Sequence, residues 1–166
     1  VSSIEESGVG QMKGRITKLG AVALATAIGF ATVAALVQAA DPIAERRELM
    51  KGNGAAMKAI DGVLKNGGSA ADLEKHANQL NETAMKIGTL FPAGTDQPQG
   101  KEPGQTRALP EIWEDPDEFA AEVKEFQEES AMFKTAVAGG DMGVIKAEFD
   151  KLGGVCGDCH KQFRAK

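Results

Sequence analysis

Thiols and imidazoles are nearly missing from this chain: 166 residues contain two cysteines and two histidines. A structural zinc site needs four ligands, so it would have to draw on every one of them. No β-branched strand pattern precedes the cysteines, which removes the βαβ setting of a thioredoxin-like pair. No catalytic carboxylate pair, nucleophile–base arrangement or phosphate-binding loop stands out either, and the chain is read as a non-enzyme. An excess of positive charge is lacking too. The net charge of −5 argues against nucleic acid as a partner.

What is there is concentrated near the C-terminus. Cys156-Gly157-Asp158-Cys159-His160 holds both cysteines and one of the two histidines. Cys-x-x-Cys-His is the attachment signal of a c-type haem. The two thiols add to the haem vinyl groups as thioethers, and the adjacent imidazole becomes the proximal iron ligand. On a helix, positions 156, 159 and 160 are i, i+3 and i+4, so all three side chains leave one face. The competing readings are a thiol redox or metal pair and a chance match on a surface helix. A zinc site fits poorly, because adjacent residues 159 and 160 do not easily face one tetrahedral ion and His76 is distant in sequence.

The N-terminal forty residues read differently from the rest. Met12-Lys13-Gly14-Arg15-Ile16-Thr17-Lys18 is a basic opening, Leu19 to Val37 carries no charge, and Val37-Gln38-Ala39 offers a small-residue cleavage site. Residues 12–40 are therefore expected to be a secretory signal peptide. A retained membrane anchor is the alternative, since the uncharged run just reaches spanning length. Residues 1–11 precede Met12, the expected initiator, and are expected to be an upstream extension outside the protein proper. Export to the periplasm suits the haem motif, because bacteria attach haem covalently outside the cytoplasmic membrane. Of the 19 Lys+Arg and 24 Asp+Glu, three and two lie in residues 1–40, so residues 41–166 carry a net −6. That acidic surface suits soluble redox proteins with basic docking patches. With both cysteines assigned, no disulfide is expected.

Residues 41–166 are one domain's worth of chain and read as four helices. The first begins at Asp41 with Pro42 in its first turn and runs to about Asn66, where Gly67-Gly68 stops it. Ser69 caps the second, which ends near Phe91-Pro92. The third follows Asp115-Pro116-Asp117 to Gly139-Gly140, and Asp141 caps the fourth. Each carries an apolar stripe at spacings of three and four. The second shows Leu73, Ala77, Leu80, Ala84, Ile87 and Phe91. The third shows Phe119, Val123, Phe126, Phe133 and Val137, with Ser130 interrupting. The fourth shows Ile145, Phe149, Leu152, Cys156, Cys159 and Phe163. The haem cysteines thus fall on the core-facing seam. The expected fold is all-α, an antiparallel four-helix bundle with the haem in the bundle interior. The connection from Pro92 to Pro116 holds five of the six prolines and is expected to be irregular. Its Trp113 is either a core or haem-edge contact or a loop anchor.

The first helix breaks its own pattern. Its seam reads Ile43, Arg46, Met50, Asn53, Met57, Ile60 and Leu64, with Gly52 and Gly54 in the same turn. Each glycine costs about 1 kcal/mol relative to alanine in a helix interior. A flat cofactor against this helix accounts for both oddities: glycines make room, and a polar residue reaches the haem carboxylates. Otherwise Met50 and Met57 are adaptable filler and Arg46 snorkels outward.

Four segments carry a family resemblance: Arg46-Arg47-Glu48-Leu49-Met50-Lys51; Leu90-Phe91-Pro92-Ala93-Gly94-Thr95; Leu109-Pro110-Glu111-Ile112-Trp113; and Cys156 to Arg164. Residues 41–166 resemble a class II c-type cytochrome, the cytochrome c′ family, including its low-spin methionine-ligated members. The C-terminal haem motif is itself specific, since class I cytochromes c carry it near the N-terminus. The resemblance implies one covalent haem c on Cys156 and Cys159, His160 as proximal ligand, a periplasmic location and often a homodimer. It implies Arg46 near a haem propionate, Arg164 as a basic residue on the proximal side, and Met50 at the distal position. His76 matches no functional position.

The function expected from this reading is a periplasmic electron-transfer protein whose iron is held by His160 and Met50. The alternative is a five-coordinate, high-spin haem that binds nitric oxide or carbon monoxide. What sits above the iron separates the two.

Overall fold

The computed structural model describes residues 41–96 and 105–166. The expected signal peptide and upstream extension lie outside the described residues. Four long helices pack as an all-α bundle: α1 (Pro42–Lys65), α2 (Glu74–Ile87), α4 (Pro116–Gly139) and α5 (Met142–Phe163), with a single turn, α3 (Glu111–Glu114), before α4. Short 3₁₀ turns, Ala70–Asp72 and Gly88–Leu90, extend α2 at both ends. Among the described residues no helix is long and apolar enough to cross a membrane.

The helix ends follow local chemistry. Asp41 Oδ1 accepts from the Ile43 N–H at 2.9 Å, with Pro42 in the first turn where no N–H is needed. Asp141 Oδ1 accepts from Gly143 and Val144 at 2.8 and 3.1 Å and starts α5. Between α4 and α5 the chain reverses at Gly140, whose φ of 79° is one that glycine takes without a Cβ clash. Its N–H closes on the Ala136 and Val137 carbonyls.

The second-helix stripe is buried from Leu73 to Ile87, with Phe91 half-buried, and Ile60, Phe133, Ile145 and Leu152 complete the main core. Ser130, which interrupts the α4 stripe, is fully buried. Its hydroxyl accepts from Asn81 Nδ2 of α2 at 3.1 Å and donates to the Gln127 carbonyl, so a polar tie joins α2 and α4 inside the core.

Packing is uneven. α4 lies extensively against α5 and α2, and α2 against α1, whereas α1 and α5 meet at few points. The two helices that bear the unusual sequence features are therefore the two held apart.

Two features of the long connection were not foreseen. One is α3. The other is a backbone tie between the connection and the chain end, where Leu109 N–H donates to the Phe163 carbonyl at 3.0 Å and Ala165 N–H to the Arg107 carbonyl at 2.8 Å. Phe91, Phe119 and Phe163 meet edge to face beneath it, with ring centroids 4.8 and 5.3 Å apart. Trp113 Nε1 donates to the Phe91 carbonyl at 3.0 Å and packs in this cluster, which makes it a loop anchor.

Core packing of this kind predicts a sharp contrast within one helix. Leu80→Ala, at a site with 0% exposure, should destabilise the protein by about 2–5 kcal/mol. Met85→Ala, on the outer face at 64% exposure, should stay within about 0.5 kcal/mol of wild type. Urea unfolding followed by circular dichroism measures both, and equal losses would mean that α2 is turned about its axis.

Candidate functional site

The gap between α1 and α5 is a cavity of about 630 Å³. That is room for a cofactor rather than for a few waters. From α5 it receives Cys156, Cys159 and His160, together on one wall as their i, i+3, i+4 spacing requires. From α1 come Met50, Asn53, Gly54 and Met57. α4 adds Phe119, Glu122, Val123 and Phe126, and the connection adds Thr106, Arg107 and Ala108. The walls are mostly apolar and the mouth is basic, with Arg47, Lys51, Arg107 and Arg164 at exposed positions.

The state of the α5 side chains narrows their chemistry. Burial pushes the Cys156 thiol up, and burial, Glu122 and Cys156 push the Cys159 thiol up to about 11. Both thiols are therefore protonated at neutral pH, the opposite of the low-pKa thiolate that disulfide exchange requires. His160 is pushed the other way, first by burial and then by Arg164 and Arg107. A neutral imidazole has a lone pair free for a metal. Two neutral thiols and a neutral imidazole on one wall of an apolar cavity fit a covalently held haem. Among the described residues no three His, Cys, Asp or Glu side chains cluster to hold a bare metal ion.

Arg46, expected near a haem propionate, lines the cavity and also makes contacts that the sequence did not suggest. It lies on the α1 seam at 4% exposure, and its guanidinium is engaged by the connection. Nη1 donates to Thr95 Oγ1 at 2.8 Å and to the Leu90 carbonyl at 3.3 Å, and Nη2 donates to the Thr95 carbonyl and Thr106 Oγ1. The guanidinium also stacks on the Phe91 ring, 4.8 Å from its centroid. Burial lowers its pKa, while Asp41 and Asp96 act to restore it. Arg46 thus clamps the connection to α1, and among the described residues the exposed cations lining the cavity are Arg47, Lys51, Arg107 and Arg164. Arg107 was missed by sequence reasoning. Its place is set by the backbone tie to the chain end, and that pairing leaves no local sequence signal.

The α1 glycines divide in role. A Cβ on Gly52 would lie 3.0 Å from Gln79 Nε2, so Gly52 lets α2 approach α1. Gly54 lines the cavity, and a Cβ there would meet nothing within 4 Å. His76 is half-buried outside the cavity.

A family model described as "Cytochrome C'" matches residues 41–164. The chain belongs to the cytochrome c′ family. It is 36% identical to a cytochrome c-554 of Cereibacter sphaeroides over 55% of this chain, an alignment that spans only 58% of that relative. It is 35% identical to a cytochrome c′ of Rhodopseudomonas palustris over 76% of this chain and 83% of that one. Among solved structures, a cytochrome c′ with ligand-controlled dimer dissociation superposes with a TM-score of 0.69 at 28% identity, covering 75% of this chain and 95% of that one. Cytochrome c′ membership implies a covalently bound haem c. Proteins of this family carry electrons or sense gases rather than catalyse a reaction, and the reading of the chain as a non-enzyme stands with them.

One expectation is corrected by these relatives. Met50 was expected to complete a six-coordinate iron and make the protein a low-spin electron carrier. Relatives named cytochrome c′, among them those of Rhodospirillum rubrum and Rhodopseudomonas palustris, favour the five-coordinate, gas-binding alternative over a methionine-ligated carrier. The physical reason lies in what coordination requires. Met50 is half-buried and packs on the main core while lining the cavity. A methionine ligates only when the backbone brings its sulfur within bonding reach of the metal, which a matching sequence position does not secure.

The clamp can be checked directly. Arg46→Met keeps the apolar stem but strands the Leu90 and Thr95 carbonyls, and it should cost about 2–4 kcal/mol. Native-state hydrogen exchange should quicken first in residues 91–96 and 105–108. Unchanged stability with unchanged exchange would contradict the clamp.

Proposed function

We propose that this chain is a five-coordinate haem c protein of the periplasm that binds nitric oxide or carbon monoxide on the α1 side of its haem. The observation that carries the reading is that one cavity faces two different walls. α5 offers Cys156, Cys159 and His160, while α1 offers Met50 and Met57 with Asn53 and Gly54 between them. When bound, the haem supplies an iron centre that takes up a diatomic gas in its ferrous state.

The residues divide the work. Cys156 and Cys159 would hold the macrocycle by thioethers inside the bundle, so that it stays oriented without a large domain around it. His160 would be the proximal ligand, kept neutral by its burial and by Arg164 and Arg107. Arg107 and Arg164, which line the cavity at exposed positions, would meet the haem carboxylates. Met50 and Met57 would keep charged ligands from the α1 side of the cavity, and Val123 and Phe126 add apolar lining from α4, where a small uncharged gas still fits. The ferrous state requires a reductant, and the acidic exterior suits a soluble redox protein with a basic face. A homodimer is part of the proposal, in keeping with the ligand-controlled dimer named for one structural relative. Export would be the role of residues 12–40.

The ferrous holoprotein exposed to carbon monoxide tests this reading. Wild type should bind at once, and Met50→Ala should change the rate without changing the stoichiometry. Refusal of the gas by wild type, together with uptake by Met50→Ala, would show that the methionine occupies the iron. His160→Ala should abolish the normal spectrum and His76→Ala should leave it unaltered. Acid–acetone extraction should leave the colour on the polypeptide, and free haem in the solvent would contradict the thioether bonds.

A further inference from the structure

One titratable group in the cavity wall has no part in holding the haem. Glu122, half-buried on α4, lines the cavity one turn from Phe119 and from Phe126. Its Oε1 accepts from Gln162 Nε2 of α5 at 3.1 Å, while its Oε2 is buried and meets no hydrogen-bond donor among the described residues. A carboxylate with one such oxygen keeps its charge at a cost, because the water it gave up has not been replaced. Glu122 also lies close enough to Cys159 to push that thiol up, so it stands beside the expected thioether edge of the haem.

The groups around Glu122 are mostly of its own sign. Burial first, then Glu125, Asp158 and Glu118, push its carboxyl above the ordinary value, and the Gln162 hydrogen bond acts the other way. Glu118 and Glu125 lie one turn off on α4, and Asp158 stands across on α5. The cations of this region act on other groups. Lys161 pairs with Asp158 at 2.5 Å, Arg164 acts on Cys159 and His160, and Arg107 acts on His160 from the connection. Arg47 and Lys51 line the cavity from α1. Among the described residues no cation pairs with Glu122 itself.

We propose that Glu122 is the proton acceptor coupled to reduction of this haem, binding a proton when an electron enters the cavity and releasing it when the electron leaves. This rests on the covalent-haem reading and not on gas binding. An electron added in the cavity is one more negative charge beside the carboxylate, and a like charge favours the neutral carboxyl. The coupling runs through the electric field, so Oε2 need not touch the cofactor. One electron comes from a one-electron donor protein, one proton passes from solvent to a Glu122 oxygen, and the net charge of the site is unchanged. Gln162 serves both states, because its carboxamide donates to the carboxylate and, after half a turn, accepts from the carboxyl. By linkage the ferrous state is favoured as pH falls.

The experiment is spectroelectrochemical titration of the holoprotein over a range of pH. In wild type the reduction potential should fall as pH rises from the Glu122 pKa of the ferric protein to the higher one of the ferrous protein, by at most one proton per electron, and level off on either side. Glu122→Gln keeps the volume of the side chain and should give a flat potential across that window, while Glu122→Asp should restore the slope. Should Glu122→Gln fail to take up haem, infrared difference spectra of wild type carrying isotopically labelled glutamate decide the matter. A labelled carboxyl band should appear on reduction, and its absence overturns the proposal. A pH-independent potential in wild type would overturn it too, as would a slope that survives in Glu122→Gln and so assigns the proton to the haem carboxylates or His160. A wild type that holds no covalent haem would instead overturn the reading beneath it.

Discussion

Because α1 and α5 meet at few points, the bundle cannot close by burying the apolar faces of those two helices against each other, and it has to hold them from elsewhere. The α2 and α4 cores do most of this, through the buried run from Leu73 to Ile87 and the stack of Phe133, Ile145 and Leu152. The connection between α2 and α4 does the rest. Arg46 grips it from α1, and the Phe163 and Ala165 backbone grips it from the end of α5. The two helices that must stay apart are thus tied to one loop rather than to each other. A four-helix bundle becomes a container by this means, and the space left is where Cys156, Cys159 and His160 come to face Met50 and Asn53.

The same constraint explains the polar residues in otherwise apolar seams. Ser130 with Asn81 fixes the register of α2 on α4 where both are fully packed. Arg46 replaces missing helix contact with charge-assisted hydrogen bonds to backbone carbonyls, which are stronger than neutral ones. Asn53 is different in kind, because its oxygen has no hydrogen-bond partner among the described residues. A seam read only for hydrophobicity treats all three as blemishes. Their partners separate two structural ties from one unmet demand.

Much of the helix framework was legible in the sequence because its signals are local. Pro42, Asp115-Pro116, Gly140 and Asp141 mark ends through backbone chemistry that does not depend on tertiary structure, and the observed bounds follow them. The haem motif was legible for the same reason, since its three side chains share a helix face by spacing alone. The disturbance in α1 was also visible, but its explanation was only partly sound. Gly52 serves α2 and Arg46 serves the connection, so both answer to neighbours distant in sequence. Arg107 was invisible because only the backbone tie to the chain end brings it to the cavity mouth. The distal ligation of Met50 was beyond reach, because coordination turns on the position of one sulfur atom and the pattern of a helix seam is indifferent to it.

The central claim is that the cavity holds a haem with one axial position open. Electron paramagnetic resonance of the ferric holoprotein at neutral pH tests it most directly, because the spin state reports the axial ligands. The account predicts a high-spin ferric signal and no far-red sulfur-to-iron charge-transfer band in the optical spectrum. A low-spin signal accompanied by that band, with both lost in Met50→Ala, would contradict it.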